Sequence, residues 1–466
     1  MTNIFIELSK YFMILCIAFY TLHGFVVFRY TKYEDQRGFY IMQNIFMVMI
    51  HACGFAVLIL SGGDLTMAVF YAVSQVVIIG YIALYRVIYP MSNPLIINNM
   101  CMLVTVSLII LARLSYTKCK KQFTIVIIGM VLSLIIPFFV KYTKMLLSHF
   151  TWIYGMAGIL ILGIVLILGS VTYGSKLSFT VSGLTFQPSE AVKILFVFFT
   201  AAMLSASNSL RQIIITTLFA GAHIGVLALS KDLGSALIFF VVYVMMLYVA
   251  SKNPLYLFGS MGVGAAAGVA GYKLFSHVRT RVIAWKDPFS YIDGQGYQIT
   301  QSLFAIGTGG WFGMGLTKGS PNKIPVVEAD FIFSAISEEL GCIFGLCIIL
   351  ICISNFLMFM NIALKLRDKF YSLLSMGLAV IYGFQMFLTI GGVTRFIPLT
   401  GVTLPLVSYG GTSVLVTFIM FSIIQGVYIR RLEINGLASG MPDKRPLKAP
   451  VNAESKEDDF EVVKFQ

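Results

Sequence analysis

Charge is scarce in this sequence. Of 466 residues only 11% are Asp, Glu, Lys or Arg, against 58% hydrophobic, which excludes an ordinary water-soluble globule because its surface needs more ionic cover. Acid is the scarcer sign, with 20 Asp and Glu against 33 Lys and Arg, so chemistry that needs carboxylates must draw on a short supply. The 5 histidines (His23, His51, His149, His223 and His277) lack metal-ligand spacing and read as packing or interfacial residues. Paired cysteine spacing is also missing. Cys16, Cys53, Cys101, Cys342, Cys347 and Cys352 all lie in apolar runs, so neither a disulfide frame nor a zinc site is expected. A cleavable leader is not expected either, since the apolar run from Tyr11 to Phe28 is long and followed directly by others.

What is present is a series of apolar runs, each long enough to cross roughly 30 Å of hydrocarbon as a helix. They fall at about 11–29, 41–61, 66–88, 97–113, 122–140, 152–171, 189–205, 212–229, 234–251, 256–275, 332–353, 370–390 and 412–429, thirteen spans in all. The expected class is an all-α polytopic membrane protein. Residues 431–466 are polar and too poor in apolar side chains to fold alone, and read as a disordered tail.

The formal charge of +13 does not point to nucleic acid, because Lys and Arg cluster between spans, where they set topology and meet anionic membrane lipids. With Arg430-Arg431 in the cytoplasm, Lys365 to Lys369, Lys252, Arg211, Lys141 to Lys144, and Arg29, Lys32 and Arg37 all fall on the same side. One loop disobeys: Arg113, Lys118, Lys120 and Lys121 come out external, so either the count slips there or those charges have a task.

Three polar stretches then lie outside, Gly174 to Pro188, Ser276 to Asp330 and Arg395 to Thr412. Away from the cytoplasmic segments the carboxylates reduce to Glu7, Asp64, Glu190, Asp232, Asp287, Asp293, Glu328, Asp330, Glu338 and Glu339. The long middle stretch and the helix after it hold six of them, and an ionisable group at membrane depth is a functional-site hypothesis by default. Asp330, Ser334 and Ser337 share one helical face if the helix starts at Asp330. Asp330 then reads either as an N-cap, whose amide bonds make it a poor base, or as a partly desolvated general base. Glu338-Glu339 suits a proton or cation relay, or a pair buried against Arg or Lys. Gln187-Pro188-Ser189-Glu190 opens a helix in which Lys193 is within reach of Glu190. Pro398 to Ser413, with two prolines and three glycines, suits a re-entrant loop.

Taken in order, five stretches resemble the SEDS family (shape, elongation, division, sporulation), whose members include FtsW, RodA and SpoVE. They are Gln187 to Glu190 with Lys193; Asp232-Leu233-Gly234; Gly296-Tyr297-Gln298 through Gly313-Met314-Gly315; Asp330-Phe331-Ile332-Phe333 through Gly341; and Pro398 to Ser413. The resemblance implies a ten-helix core over 93–430, with 1–92 as three additional N-terminal spans. It implies a peptidoglycan glycosyltransferase of the bacterial cytoplasmic membrane, C-terminus inside, serving elongation, division or sporulation. Such an enzyme joins lipid II units, releases undecaprenyl diphosphate, and works with a transpeptidase of the class B penicillin-binding type. It also implies Asp330 as the catalytic residue. Lys193, Arg279, Arg281 and Lys318 are the candidate cations for the leaving diphosphate, and Gln187, Glu190, Lys176, Gln298, Glu338 and Ser408 are further substrate-contact candidates. A divalent cation, Mg or Mn, is compatible with such a leaving group although no ligand spacing demonstrates one.

The sequence departs from the family at three places. Gly174-Ser175-Lys176 lacks the usual Arg-Trp pair, Glu328 is shifted from its usual place beside a proline, and Thr389 stands for a usual Asn. A flippase or transporter for a lipid-linked sugar, or an inactive scaffold for a transpeptidase, are the competing expectations. The transporter would show inverted repeats and matched broken helices.

Overall fold

Thirteen helices among the described residues are long and apolar enough to cross a membrane, the number the apolar runs predict. The computed structural model describes residues 2–62, 65–143, 150–172, 175–181 and 184–438. The first six helices are α1 (Thr2–Val26), α2 (Tyr33–Gly62), α3 (Leu65–Ile88), α4 (Pro94–Leu114), α5 (Tyr116–Tyr142) and α6 (Thr151–Leu168). After them come three short strands, β1 (Ser170–Thr172), β2 (Ser175–Val181) and β3 (Leu184–Phe186), in antiparallel order β1-β2-β3. The chain continues through α7 (Pro188–Ala206), α8 (Leu210–Leu229), α9 (Leu233–Ser251), α10 (Pro254–Leu274), α11 (Ser276–Lys286), α12 (Tyr297–Gly309), α13 (Ile332–Leu364), α14 (Lys369–Val393) and α15 (Gly411–Ala438).

The helix starts follow local chemistry. Asn93 caps α4 by accepting from the amides of Leu95 and Ile96, with Pro94 in the first turn, the position where a missing N–H costs nothing. Asp368 caps α14 through the amides of Phe370 and Tyr371. α4 is buried on all sides, with α2, α5 and α13 packed around it. Its polar residues are satisfied by neighbours: Asn99 Nδ2 donates to Asn355 Oδ1 at 3.1 Å while its Oδ1 accepts from the Tyr20 hydroxyl at 3.0 Å. This chain of bonds ties α1 to α4 and α13, so the N-terminal helices are built into the bundle rather than appended to it.

Three expectations are corrected. The long stretch after α10 is not a simple loop, since α11 and α12 lie within it. The last helix runs past Arg430-Arg431 to Ala438, and residues 439–466, the rest of the expected tail, lie outside the described residues. The helix after Asp330 begins only at Ile332, so Asp330 sits in the preceding turn and not on one face with Ser334 and Ser337.

α13 is broken at Gly341, with φ 88° and ψ 163°, a backbone that a side chain would strain. A Cβ there would also lie 2.5 Å from both Gly313 N and Trp311 O. The segment 310–315 fills the break. The amides of Met314 and Gly315 donate to the Glu338 and Glu339 carbonyls, each at 2.9 Å, and Cys342 N donates to Gly310 O at 2.9 Å. Backbone groups freed at membrane depth must find such partners, which explains the glycines on both sides of the contact.

Candidate active site

Asp330 lies half-buried where the turn before α13 meets α11 and the irregular segment between α14 and α15. Phe331, not Asp330, occupies the N-cap position of α13. Among the described residues no hydrogen bond reaches the Asp330 carboxylate, so it is not held ionised by backbone amides. Burial pushes it up to about 6, with Arg281 pulling it down and Glu328 adding to the rise. That is the direction a general base needs.

The residues before Asp330 are fixed from two sides. Ser408 Oγ donates to Ala329 O at 2.5 Å and Tyr409 N donates to Glu328 O at 2.8 Å. Gln122 of α5 in turn donates to Ser408 O at 2.9 Å and accepts from Gly410 N at 3.3 Å. Lys118 pairs with the Glu328 carboxylate. Ser408 is fully buried, and its hydroxyl also accepts from Leu404 N at 2.9 Å, so it ties the loop to the turn that carries Asp330.

Arg281 on α11 donates from Nη1 to Thr400 O at 3.0 Å. Burial lowers its basicity, but Asp330 and Asp232 oppose that and keep the guanidinium charged. α11 itself is clamped by Arg395, which donates to Trp285 O at 2.8 Å and Lys286 O at 2.6 Å. Thr389, where the family usually has Asn, donates to Val402 O at 2.9 Å, so this departure still anchors the loop.

Asp232 caps α9 by accepting from Ser235 N at 3.1 Å, and also accepts from Ser189 Oγ at 3.1 Å and Gln187 Nε2 at 3.5 Å. A Cβ at Gly234 would lie 3.0 Å from Thr400 O, so the glycine admits the loop that carries Arg281's acceptor. The Gln-Pro-Ser-Glu and Asp-Leu-Gly motifs therefore meet at one joint beside the Thr400 loop.

Lys193, Glu190 and Glu339 are spent internally. Lys193, 1% exposed, pairs with Glu190 at 2.6 Å and donates to Gln385 at 3.2 Å, the arrangement a buried cation requires. Glu339 pairs with Arg113 at 3.0 Å, and Glu338 accepts from Ser320 N at 2.8 Å. Arg279, Gln298 and Lys318 are exposed, and Arg279 donates to Lys273 O at 3.4 Å. Lys176 lies in β2, with its side chain outside the described residues. Among the described residues no three His, Cys, Asp or Glu side chains converge, so these side chains alone do not form the oxygen-rich cage that a protein-held divalent cation takes.

Sequence reasoning left Arg113 and Lys118 as topological exceptions, and the structure gives both a carboxylate partner at the Asp330 end of the bundle. Gln122 and Gln385 carried no signal in the sequence beyond being amides inside apolar runs.

The profile of the cell cycle protein family FtsW/RodA/SpoVE matches residues 92–431, beginning just after α3. The peptidoglycan glycosyltransferase RodA of Mycobacterium tuberculosis is 32% identical over 364 residues, covering 72% of this chain and 77% of that protein. The stage V sporulation protein E of Bacillus subtilis is 34% identical over 257 residues, 53% of this chain and 69% of that protein. Among solved structures, a peptidoglycan synthase complex described as coordinating polymerization and crosslinking aligns with TM-score 0.61 at 23% identity, over 73% of this chain and 98% of that one. The rod shape determining protein RodA of Thermus thermophilus aligns with TM-score 0.56 at 22% identity, over 72% and 96%. These structures share the fold.

Proposed function

The chain belongs to the FtsW/RodA/SpoVE family, and from that premise we propose that it is a peptidoglycan glycosyltransferase polymerising lipid II at the outer face of the cytoplasmic membrane. The observation that carries the proposal is the Asp330 carboxyl, raised by burial to about 6 beside the charged Arg281. At neutral pH such a group is ionised yet more basic than a free aspartate, the compromise that favours proton abstraction.

In the reaction the sugar 4-hydroxyl of one lipid-linked disaccharide attacks the anomeric carbon of another. Its proton passes to Asp330 as the new C–O bond forms, and the anomeric C–O bond to the diphosphate breaks. Undecaprenyl diphosphate leaves with the electron pair, and Arg281, held by Thr400 O beside Asp330, stabilises the departing charge. Lys193 has no part in this step, because it is sealed inside the bundle with its own carboxylate.

The orientation follows from the basic residues. Arg430, Lys141 and the Lys365 to Lys369 turn sit at the opposite end from Asp330, and Lys141 pairs with Glu433 at 2.5 Å; the positive-inside bias puts that end, and the C-terminus, in the cytoplasm. The partner is a single-span transpeptidase of the class B penicillin-binding type, a reading supported by the synthase complex that shares this fold.

Glycan strands formed from lipid II by the purified protein, with undecaprenyl diphosphate released in proportion, are the expected result. Movement of lipid II across proteoliposomes without any polymer would replace this reading with the transporter.

A further inference from the structure

The additional N-terminal helices leave a groove that the proposed reaction does not explain. Its walls are Leu65, Thr66, Val69, Phe70 and Val73 of α3 and Tyr116 at the start of α5, enclosing about 410 Å³. The Tyr116 hydroxyl donates to Thr66 O at 3.2 Å and its ring meets Phe70 edge-on at 5.7 Å, so the two walls are held together.

Cations stand beside the Tyr116 wall of the groove. Lys120 Nζ stands 4.9 Å from the centre of the Tyr116 ring; Lys121 beside it is exposed and without a carboxylate partner among the described residues. One turn earlier, Lys118 pairs with Glu328, two residues before Asp330. An apolar trough flanked by cations suits a lipid with a phosphorylated head.

We infer that this α3–α5 groove binds the hydrocarbon chain of a polyprenyl diphosphate lipid, with Lys120 and Lys121 at its phosphates. The choice of this lipid over bulk anionic phospholipid rests on the proposed function, since Lys118 of the same helix turn pairs with Glu328, two residues before Asp330. One wall is supplied by α3, which precedes the family match at residues 92–431, so the site is a property of this chain's own N-terminal helices.

The test uses the full-length protein in phosphatidylcholine nanodiscs, irradiated with a polyprenyl diphosphate that carries a diazirine in its chain. The expected result is label on the peptide spanning 65–73, competed by undecaprenyl diphosphate but not by the same amount of phosphatidylglycerol. Val69 and Val73 are 57% and 48% exposed, so Val69→Trp with Val73→Trp fills the groove without touching the core and removes the label. Lys120→Ala with Lys121→Ala lowers it roughly tenfold.

Label absent from 65–73, label unchanged in both double variants, or equal competition by phosphatidylglycerol would each overturn the inference. Labelling needs no turnover, so its failure leaves polymerisation standing. Asp330→Asn, which is expected to abolish polymerisation, should label like the wild type.

Discussion

Arg281 faces Asp330 across Gly401: a Cβ built on that glycine would lie 3.4 Å from Arg281 Nη2 and 3.6 Å from Asp330 Oδ2. A guanidinium this close favours the carboxylate, while burial disfavours it, and burial wins to leave the group at about 6. The pair thus places a carboxyl of raised pKa and a fixed positive charge at one spot, while Gly401 keeps the space between them open.

Activity should therefore depend on pH with a single rising limb. The base works deprotonated, so polymerisation falls as pH drops through about 6 and levels off above it. Arg281→Ala removes the charge that lowers the Asp330 pKa, so the midpoint moves up, and the plateau rate falls by roughly 100-fold. Glu328→Gln moves the midpoint down. Initial rates across the range from acid to neutral pH, with a fixed lipid II concentration, check all three.

Stability should move the opposite way at Asp330. A carboxyl whose folded pKa is raised destabilises the fold once it ionises, so the penalty is absent below the unfolded value and complete above about 6. Asp330→Asn should then stabilise the protein by roughly 1–3 kcal/mol at pH 8 and by little below pH 4. Thermal unfolding of both proteins at the two pH values, in the same detergent, measures the difference.

The break in α13 depends on one residue. Gly341→Ala forces a side chain onto φ 88° and into the backbone of Trp311 and Gly313, a strain of roughly 1–3 kcal/mol before any clash is counted. The expected outcome is a lower unfolding temperature and poor recovery after solubilisation. Gly271→Ala, where a Cβ meets nothing within 4 Å, is the control and should behave as wild type.

Arg113 and Glu339 should be coupled. The Glu339 side chain is 1% exposed and that of Arg113 is 20% exposed, so losing the arginine strands the more deeply buried charge. Arg113→Met is predicted to cost roughly 3 kcal/mol, Glu339→Gln less, and the double variant less than their sum. A double-mutant cycle on unfolding temperature reads the coupling.

The thirteen spans were legible because hydrocarbon thickness fixes helix length, and each apolar run reports it directly. Asp330 was legible as a candidate because carboxylates are rare, but choosing between cap and base needed the start of α13, which hydrophobic periodicity does not fix to within two residues. Lys193 pointed to Glu190 by helical spacing alone. That Lys193 is also spent on Gln385 depends on α14, nearly two hundred residues away. Arg113 and Lys118 were visible only as violations of the charge bias. Their partners, Glu339 in α13 and Glu328 in the turn before it, are brought to them by tertiary packing that the sequence pattern does not show.

The central claim is that Asp330 takes the proton, and it is tested most directly by polymerisation of lipid II by the purified protein, with its transpeptidase partner present, for wild type, Asp330→Asn and Glu328→Gln. The account predicts long glycan strands from the wild type, strands with a shifted pH midpoint from Glu328→Gln, and none from a folded Asp330→Asn protein. Strands of equal yield from Asp330→Asn would contradict it.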